Sequence, residues 1–542
     1  MAVQRIQHHI FELVAPTIAL SAIFILLFGP CIISSCIYLV PRTIRNWNAS
    51  QDQSSTHNHK EEIKSTSTSN GRITPTRNGY ASVSTSDDFD CYNRANEMES
   101  ADKIHDAYYI HAFVIPNYEE PEPLLRDTIK RLAQHRNATD HYVIVLAMEA
   151  SEVDHRTKAD NLRRAFDGSF LDFIITIHPK DLPGESRGKG SNVAYAARAT
   201  CDELVRKRID KRRVVFTVTD SDSAIPELYI RHVEKAFAES FDPYAIICSP
   251  PIFFSRNALN VPAAVRVTDI MWSIMVMQNL SNRKGLAFPC STYSLSMVLA
   301  EQVGFWDTDK DAIGEDLHMW LKCFFKTGGI SRTIPIYVPI NLTNVQTTVA
   351  DVAYSLKFAF GVSKKSPDTK SLLGSYSGQK FFMSCSLADK LTVVFHVLEA
   401  HMIPATSGWI MFAAVPLTQF LLISTYSPLS NYYPSFQNPI LTSTFYYYMF
   451  CLIQAVSILL PMPLLMCAAL YEGLHKTIDV DLLKKSSSET RTWRNVVDYA
   501  WLPVSAWLFL TLPSTMACVK RLIKCEEQYV VAEKIFSEEL TR

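Results

Sequence analysis

An α/β fold with a mostly parallel sheet, inserted between the transmembrane helices of a multi-pass membrane protein, is the fold class this sequence predicts. Two observations carry it. Strand-length apolar runs alternate with helix-periodic stretches through the middle of the chain, and long uncharged apolar runs flank that region on both sides.

The first flank reads APTIALSAIFILLFGPCIISSCIYLV from Ala15 to Val40 and carries no charge. About 20 apolar residues cross a hydrocarbon core of roughly 30 Å, so residues 1–45 are expected to form an N-terminal anchor. Residues 46–105 follow as a Ser/Thr-rich linker, too poor in apolar side chains to offset the entropy of ordering.

Residues 106–380 form the expected catalytic-type domain. AYYIHAFVIP (107–116), HYVIVLAM (141–148), LDFIITIH (171–178), VVFTVTD (214–220) and YAIICSP (244–250) read as buried strands. Residues 121–135, 156–167, 187–208 and 226–240 read as the helices between them. Alternation of this kind implies right-handed crossovers covering both faces of the sheet, with ligands beyond the carboxyl ends of the strands.

Residues 381–403 contain Asp389, Lys390, His396, Glu399 and His401 among apolar positions, which suits an amphipathic helix at a membrane surface. Spans are expected at 404–425, 440–470 and 499–518, within a transmembrane region 404–520 that precedes a tail of 521–542. Arg42, Arg45 and the basic loop 472–498 place the α/β domain in the cytosol, while the 427–439 loop carries no basic residue. Lys520, Arg521 and Lys524 sit on the wrong side of the last span for that rule. The expected location is a plasma, Golgi or endoplasmic-reticulum membrane.

The totals agree. Of 542 residues, 48% are hydrophobic and 20% charged, and the mean hydropathy is +0.03. A net charge of -1 gives no basic surplus for nucleic acid. The 12 cysteines include no C-x-x-C pair, which argues against structural zinc.

Chemistry gathers at the strand ends. The first strand ends in Pro116-Asn117-Tyr118-Glu119-Glu120, the second in Met148-Glu149, and the fourth in Asp220-Ser221-Asp222. Hard carboxylate oxygens spaced two residues apart suit Mg²⁺ or Mn²⁺, provided a bend at Ser221 lets them converge. With 54 acidic residues, such pairs arise roughly five times by chance, so position at a strand end is what raises this one. The alternative is an N-cap pair for the 226–240 helix.

Residues 184–192 (GESRGKGSN) open a helix where Arg187 or Lys189 could meet an anion, or form a solvated basic turn. Glu315 and Asp316 begin AIGEDLHMWLKCFF, either complementing the helix dipole or, for the aspartate, serving as a general base.

In order, VIPNYEE, AMEA, GKGSN, VTDSDS, GFWD and GED resemble the family 2 glycosyltransferases of GT-A fold, in the membrane-bound branch of cellulose, chitin and hyaluronan synthases. The resemblance covers residues 108–361. It implies a GT-A-like (Rossmann-like) domain and an inverting, metal-dependent transfer from a nucleotide-diphosphate sugar, with a UDP-sugar as donor and a glycan or lipid-linked acceptor at membrane lipid. It implies nucleotide-sugar contacts from Pro116, Tyr118, Glu119, Glu149, Lys189 and Asp220, metal ligation by Asp220 and Asp222, and a catalytic Glu315-Asp316 with Asp316 as base. Trp306 would stack on the acceptor. Lys357 and Phe358 stand where that branch has Arg-Trp of a Gln-x-x-Arg-Trp motif, and Tyr354 replaces its Gln, so processive synthesis does not follow. Other readings are a lipid-phosphate sugar transferase, as the dolichyl-phosphate enzymes are, or a catalytically degenerate scaffold or transporter.

Overall fold

The computed structural model describes residues 109–343, with short gaps at 181, 184, 186–187, 283 and 309–314, then residues 385–394, 491–512 and single positions elsewhere. The strands β1 (Ile110–Asn117), β2 (Tyr142–Glu149), β3 (Asp172–His178) and β4 (Val214–Val218) stand where the apolar runs place them. So does β5 (Ile246–Ser249). Between them lie α1 (Glu122–Ala133), α2 (His155–Ala165), α3 (Lys189–Arg206) and α4 (Glu227–Glu239).

The sheet order is β3-β2-β1-β4-β7-β5-β8, where β7 is Tyr293–Ser296 and β8 is Arg332–Pro335. Strands β1 to β4 pair in parallel, and a single row of partners crosses them as Ile174, Val145, Val114 and Val218. Because both faces of these strands are covered, their sequences are continuously apolar instead of alternating. On one face Ala194, Ala196 and Ala197 of α3 sit against Ala112, Val114, Val145 and Ala147. Their small side chains let the helix backbone approach the sheet. On the other face Leu125 and Ile129 of α1 and Tyr229 and Phe237 of α4 join Phe113, Ile115, Ile144 and Leu146.

The sheet departs from pure parallel pairing at β7, which runs antiparallel to both β4 and β5. That reversal matters for the site, because Val218 at the end of β4 pairs with Tyr293 at the start of β7. The residues entering β7 therefore lie at the same edge as the residues leaving β4. Two further helices, α5 (Ala263–Leu280) and α6 (Met297–Val303), precede α7 (Glu315–Lys326). A small second sheet pairs β6 (Ile252–Phe253) with β9 (Ile340–Asn341).

Among the described residues no helix is long and apolar enough to cross a membrane. The expected spans at 15–40, 404–425 and 440–470 lie outside the described residues, apart from single positions, as does the linker. The 499–518 segment is described to residue 512 and at 515. It comprises the end of a 3-10 helix (Trp493–Trp501), one α turn (Leu502–Ser505) and one π turn (Ala506–Thr511). Leu502 and Ala506 pack on Val267 and Met271 of α5, and Arg266 Nε donates to Asp498 at 2.8 Å. Of the expected interface helix, residues 387–394 are helical, with Leu387 and Leu391 exposed and Val393 buried.

Candidate active site

The parallel strands deliver Asn117, Glu149 and His178 to one rim, and Asp220 follows two residues after β4 ends. Lys189 opens α3 across from Asp220. Its Nζ donates to Asp220 Oδ1 at 2.7 Å and lies 2.6 Å from Glu315 Oε1. Burial opposes a charge on Lys189, but the two carboxylates outweigh it and hold the ammonium protonated well above the usual lysine range. Burial pushes the Glu315 carboxyl up, with Lys189 opposing that shift and the adjacent Asp316 adding to it. Helix-dipole complementarity alone would leave such acids at the surface; Glu315 is buried instead.

Asp316 points elsewhere. Its Oδ2 accepts the backbone N–H of Ser291 at 3.2 Å, and its Oδ1 accepts the N–H of Leu317 at 2.8 Å. Ser291, two residues before β7, holds a left-handed φ of 57°, a conformation that costs energy for a residue with a Cβ. The antiparallel reversal thus supplies a main-chain donor to the candidate base.

Asp222 is fully buried, and its Oδ2 accepts both the N–H (3.1 Å) and the hydroxyl of Thr343. It does not cap α4, whose N-terminus is reached at Pro226 without a side-chain hydrogen bond. Among the described residues no group of three or more His, Cys, Asp or Glu side chains is placed to hold a metal. Two hard carboxylates nevertheless fit Mg²⁺ or Mn²⁺ of the kind that takes only one or two protein carboxylates, with substrate phosphates and water completing the shell.

A family model described as "Glycosyl transferase family group 2" matches residues 215–470, just under half of the chain. Over those residues the chain is similar to the family 2 glycosyltransferases. The match begins inside β4, five residues before Asp220, and includes Glu315 and Asp316. No curated relative matches. Among solved structures, glucosyl-3-phosphoglycerate synthase from Mycobacterium tuberculosis in complex with UDP is 11% identical over 48% of this chain and 80% of its own, with a TM-score of 0.29. The same enzyme with Mn²⁺, UDP-glucose and phosphoglyceric acid is 10% identical over 50% and 84%, at 0.29. GalNAc-T7 with UDP, GalNAc and Mn²⁺ is 8% identical over 44% of each chain, at 0.28.

Within the matched residues the expected acceptor platform requires correction. Trp306 is 1% exposed, donates Nε1–H to Tyr293 OH at 2.6 Å and meets Phe216 edge-on, so it is a core residue that no sugar can reach. Lys357 and Phe358 lie outside the described residues. The opening loop is where it was expected: Pro116 is the penultimate residue of β1, Tyr118 is partly exposed, and Glu119 is exposed at a left-handed φ of 59°.

Residues that the motifs did not reveal hold that loop. Buried Glu152 accepts from Asn117 Nδ2 at 2.7 Å and from the Glu119 N–H at 3.2 Å, while Lys158 pairs with Glu152 and donates to the Glu120 carbonyl at 2.7 Å. Glu149 is buried and pairs with His178 Nδ1 at 3.1 Å; His178 Nε2 meets Glu185 at 3.2 Å. Burial lowers the His178 value, but the two carboxylates raise it further, and the net shift is upward. Sequence spacing gave no sign of these partners, because the contacts tie strand ends to one another and to loop and helix residues that no motif pairs with them.

Proposed function

We propose that this protein catalyses inverting, metal-dependent transfer of a sugar from a nucleotide-diphosphate sugar, with a UDP-sugar as donor, to a glycan or lipid-linked acceptor at a membrane. The observation that carries the reading is the Lys189–Asp220–Glu315 cluster at the carboxyl edge of the sheet, within 3 Å contacts, spanning the start of the family 2 region.

Asp220 and Asp222 would hold Mg²⁺ or Mn²⁺, which neutralises charge developing on the departing diphosphate. Lys189 holds a fixed positive charge at the same edge, where a diphosphate oxygen could replace one of its carboxylate partners. Asp316 takes the proton of the acceptor hydroxyl; the main-chain donors Ser291 and Leu317 orient the carboxylate for that step. One base and a single in-line displacement invert the anomeric centre. Glu149 and the Pro116–Glu119 loop face the same rim and would bound the nucleotide end. The uncharged runs at 15–40, 404–425 and 440–470 support a membrane setting with this domain on the cytosolic side.

A second reading, transfer to a lipid phosphate, draws on exposed Leu387 (71%) and Leu391 (60%), which give helix 387–394 an apolar outer face. Labelled nucleotide sugars incubated with membranes containing the protein separate the readings. Water-soluble or polymeric product supports a glycan acceptor, organic-soluble product a lipid phosphate. No labelled product from any nucleotide sugar contradicts sugar transfer.

A further inference from the structure

Asp220 and Asp222 can serve one ligand only if the chain turns at Ser221, and the structure shows how that turn is held. Within it, Ser223 N–H returns to the Asp220 carbonyl at 3.1 Å. That bond leaves the carbonyls of Ser221 and Asp222, both residues buried, without a ladder partner in the sheet. Buried carbonyls need partners, so whatever supplies them sets the peptide planes.

Two side chains from outside the sheet supply them. Thr128, fully buried on α1, donates its hydroxyl to the Ser221 carbonyl at 2.7 Å. Arg256, 6% exposed in the loop after β6, donates Nη1–H to the Asp222 carbonyl and Nη2–H to Asp127 Oδ2. Asp127 neighbours Thr128 on α1 and also accepts Arg131 Nε–H at 2.8 Å. One helix therefore presents a hydroxyl directly and a guanidinium through its carboxylate to consecutive carbonyls. None of these residues borders the strand-end cluster of Lys189, Asp220 and Glu315 in sequence, and none was marked by a motif.

We propose that Thr128 and Arg256 are positioning residues for the metal-binding pair: by fixing the carbonyls of Ser221 and Asp222 they set the turn on which Asp220 and Asp222 converge. The inference rests on the sugar-transfer reading above. A neutral buried hydrogen bond that leaves its acceptor unsatisfied costs enough to change an equilibrium about tenfold. The planar fork of Arg256 reaches Asp222 and Asp127 through two separate nitrogens in a fixed geometry, which the single ammonium of a lysine does not reproduce.

The test is Mn²⁺ binding to the full chain in detergent with UDP present, read from the electron paramagnetic resonance signal of free Mn²⁺, alongside calorimetric UDP affinity in EDTA. Thr128→Val, nearly isosteric, keeps the fold if Arg256→Lys does not. Both variants are expected to weaken Mn²⁺ binding about tenfold, with metal-free UDP affinity unchanged and Thr128→Ser restoring Mn²⁺ affinity. Wild-type Mn²⁺ affinity in both variants, or equal losses with and without metal, overturns the positioning role. Wild-type protein that binds neither UDP nor Mn²⁺ overturns the sugar-transfer reading as well.

Discussion

Lys189 ties Asp220, on the turn after β4, to the start of α3 through a 2.7 Å charge-assisted hydrogen bond. The same ammonium lies 2.6 Å from Glu315, so one cation holds two acids from separate elements. Removing it leaves the buried Glu315 carboxylate facing that of the partly exposed Asp220. Lys189→Met is expected to destabilise the protein by about 3 kcal/mol, the scale for breaking a buried ion pair from one side. Thermal unfolding in detergent, compared with wild type, measures it. An unchanged midpoint would show that the pair is a solvated surface contact.

Asp316 contributes no ion pair to that cluster and accepts two main-chain N–H groups instead. Asp316→Asn should cut turnover by about 10²- to 10⁴-fold, the range for losing a general base. UDP affinity should stay within about threefold, since the carboxylate acts on the acceptor side. Turnover near wild type would place the base elsewhere.

His178 lies between Glu149 and Glu185, and its folded-state value is raised above the ordinary histidine value of about 6.5. A raised folded value means that its stabilisation is complete below about pH 6.5 and is lost as pH climbs through the raised value. The difference in unfolding midpoint between wild type and His178→Asn should therefore be largest at pH 6 and shrink toward pH 9. Arg198 bonds to Glu185, and Tyr195 packs edge-on against the imidazole. A constant difference across the window would mean that the imidazolium contributes nothing.

Trp306 sits in the core shared by β4, β7 and α7, hydrogen-bonded to Tyr293. Trp306→Ala should cost about 3–5 kcal/mol in stability, as large core truncations do. The acceptor KM of the folded fraction should be unaltered. A raised KM with stability intact would restore a sugar-stacking role.

Trp306 and Val114 mark the boundary of what the sequence discloses. Val114 lies in a continuous apolar run, and a strand buried on both faces has no other way to read, so β1 to β5 and their helices fall where periodicity puts them. Trp306 lies beside Gly304 and Asp307 in a motif, and a motif says nothing about which way an indole turns. Strand β7 is short and its direction depends on the chain returning through α5, a tertiary fact. The same holds for the site. Asp220 and Lys189 are legible because one closely follows the end of β4 and the other begins α3, whereas Glu152, Thr128, Arg256 and Thr343 act from other elements through contacts that no spacing rule encodes.

The measurement that bears most directly on metal-dependent sugar transfer is UDP release from nucleotide sugars by purified protein, with Mn²⁺ and then with EDTA, in wild type and Asp220→Asn. The expected result is release that requires the metal and falls by at least about 10²-fold in the variant. Release that persists in EDTA, or that Asp220→Asn leaves unchanged, would contradict the account.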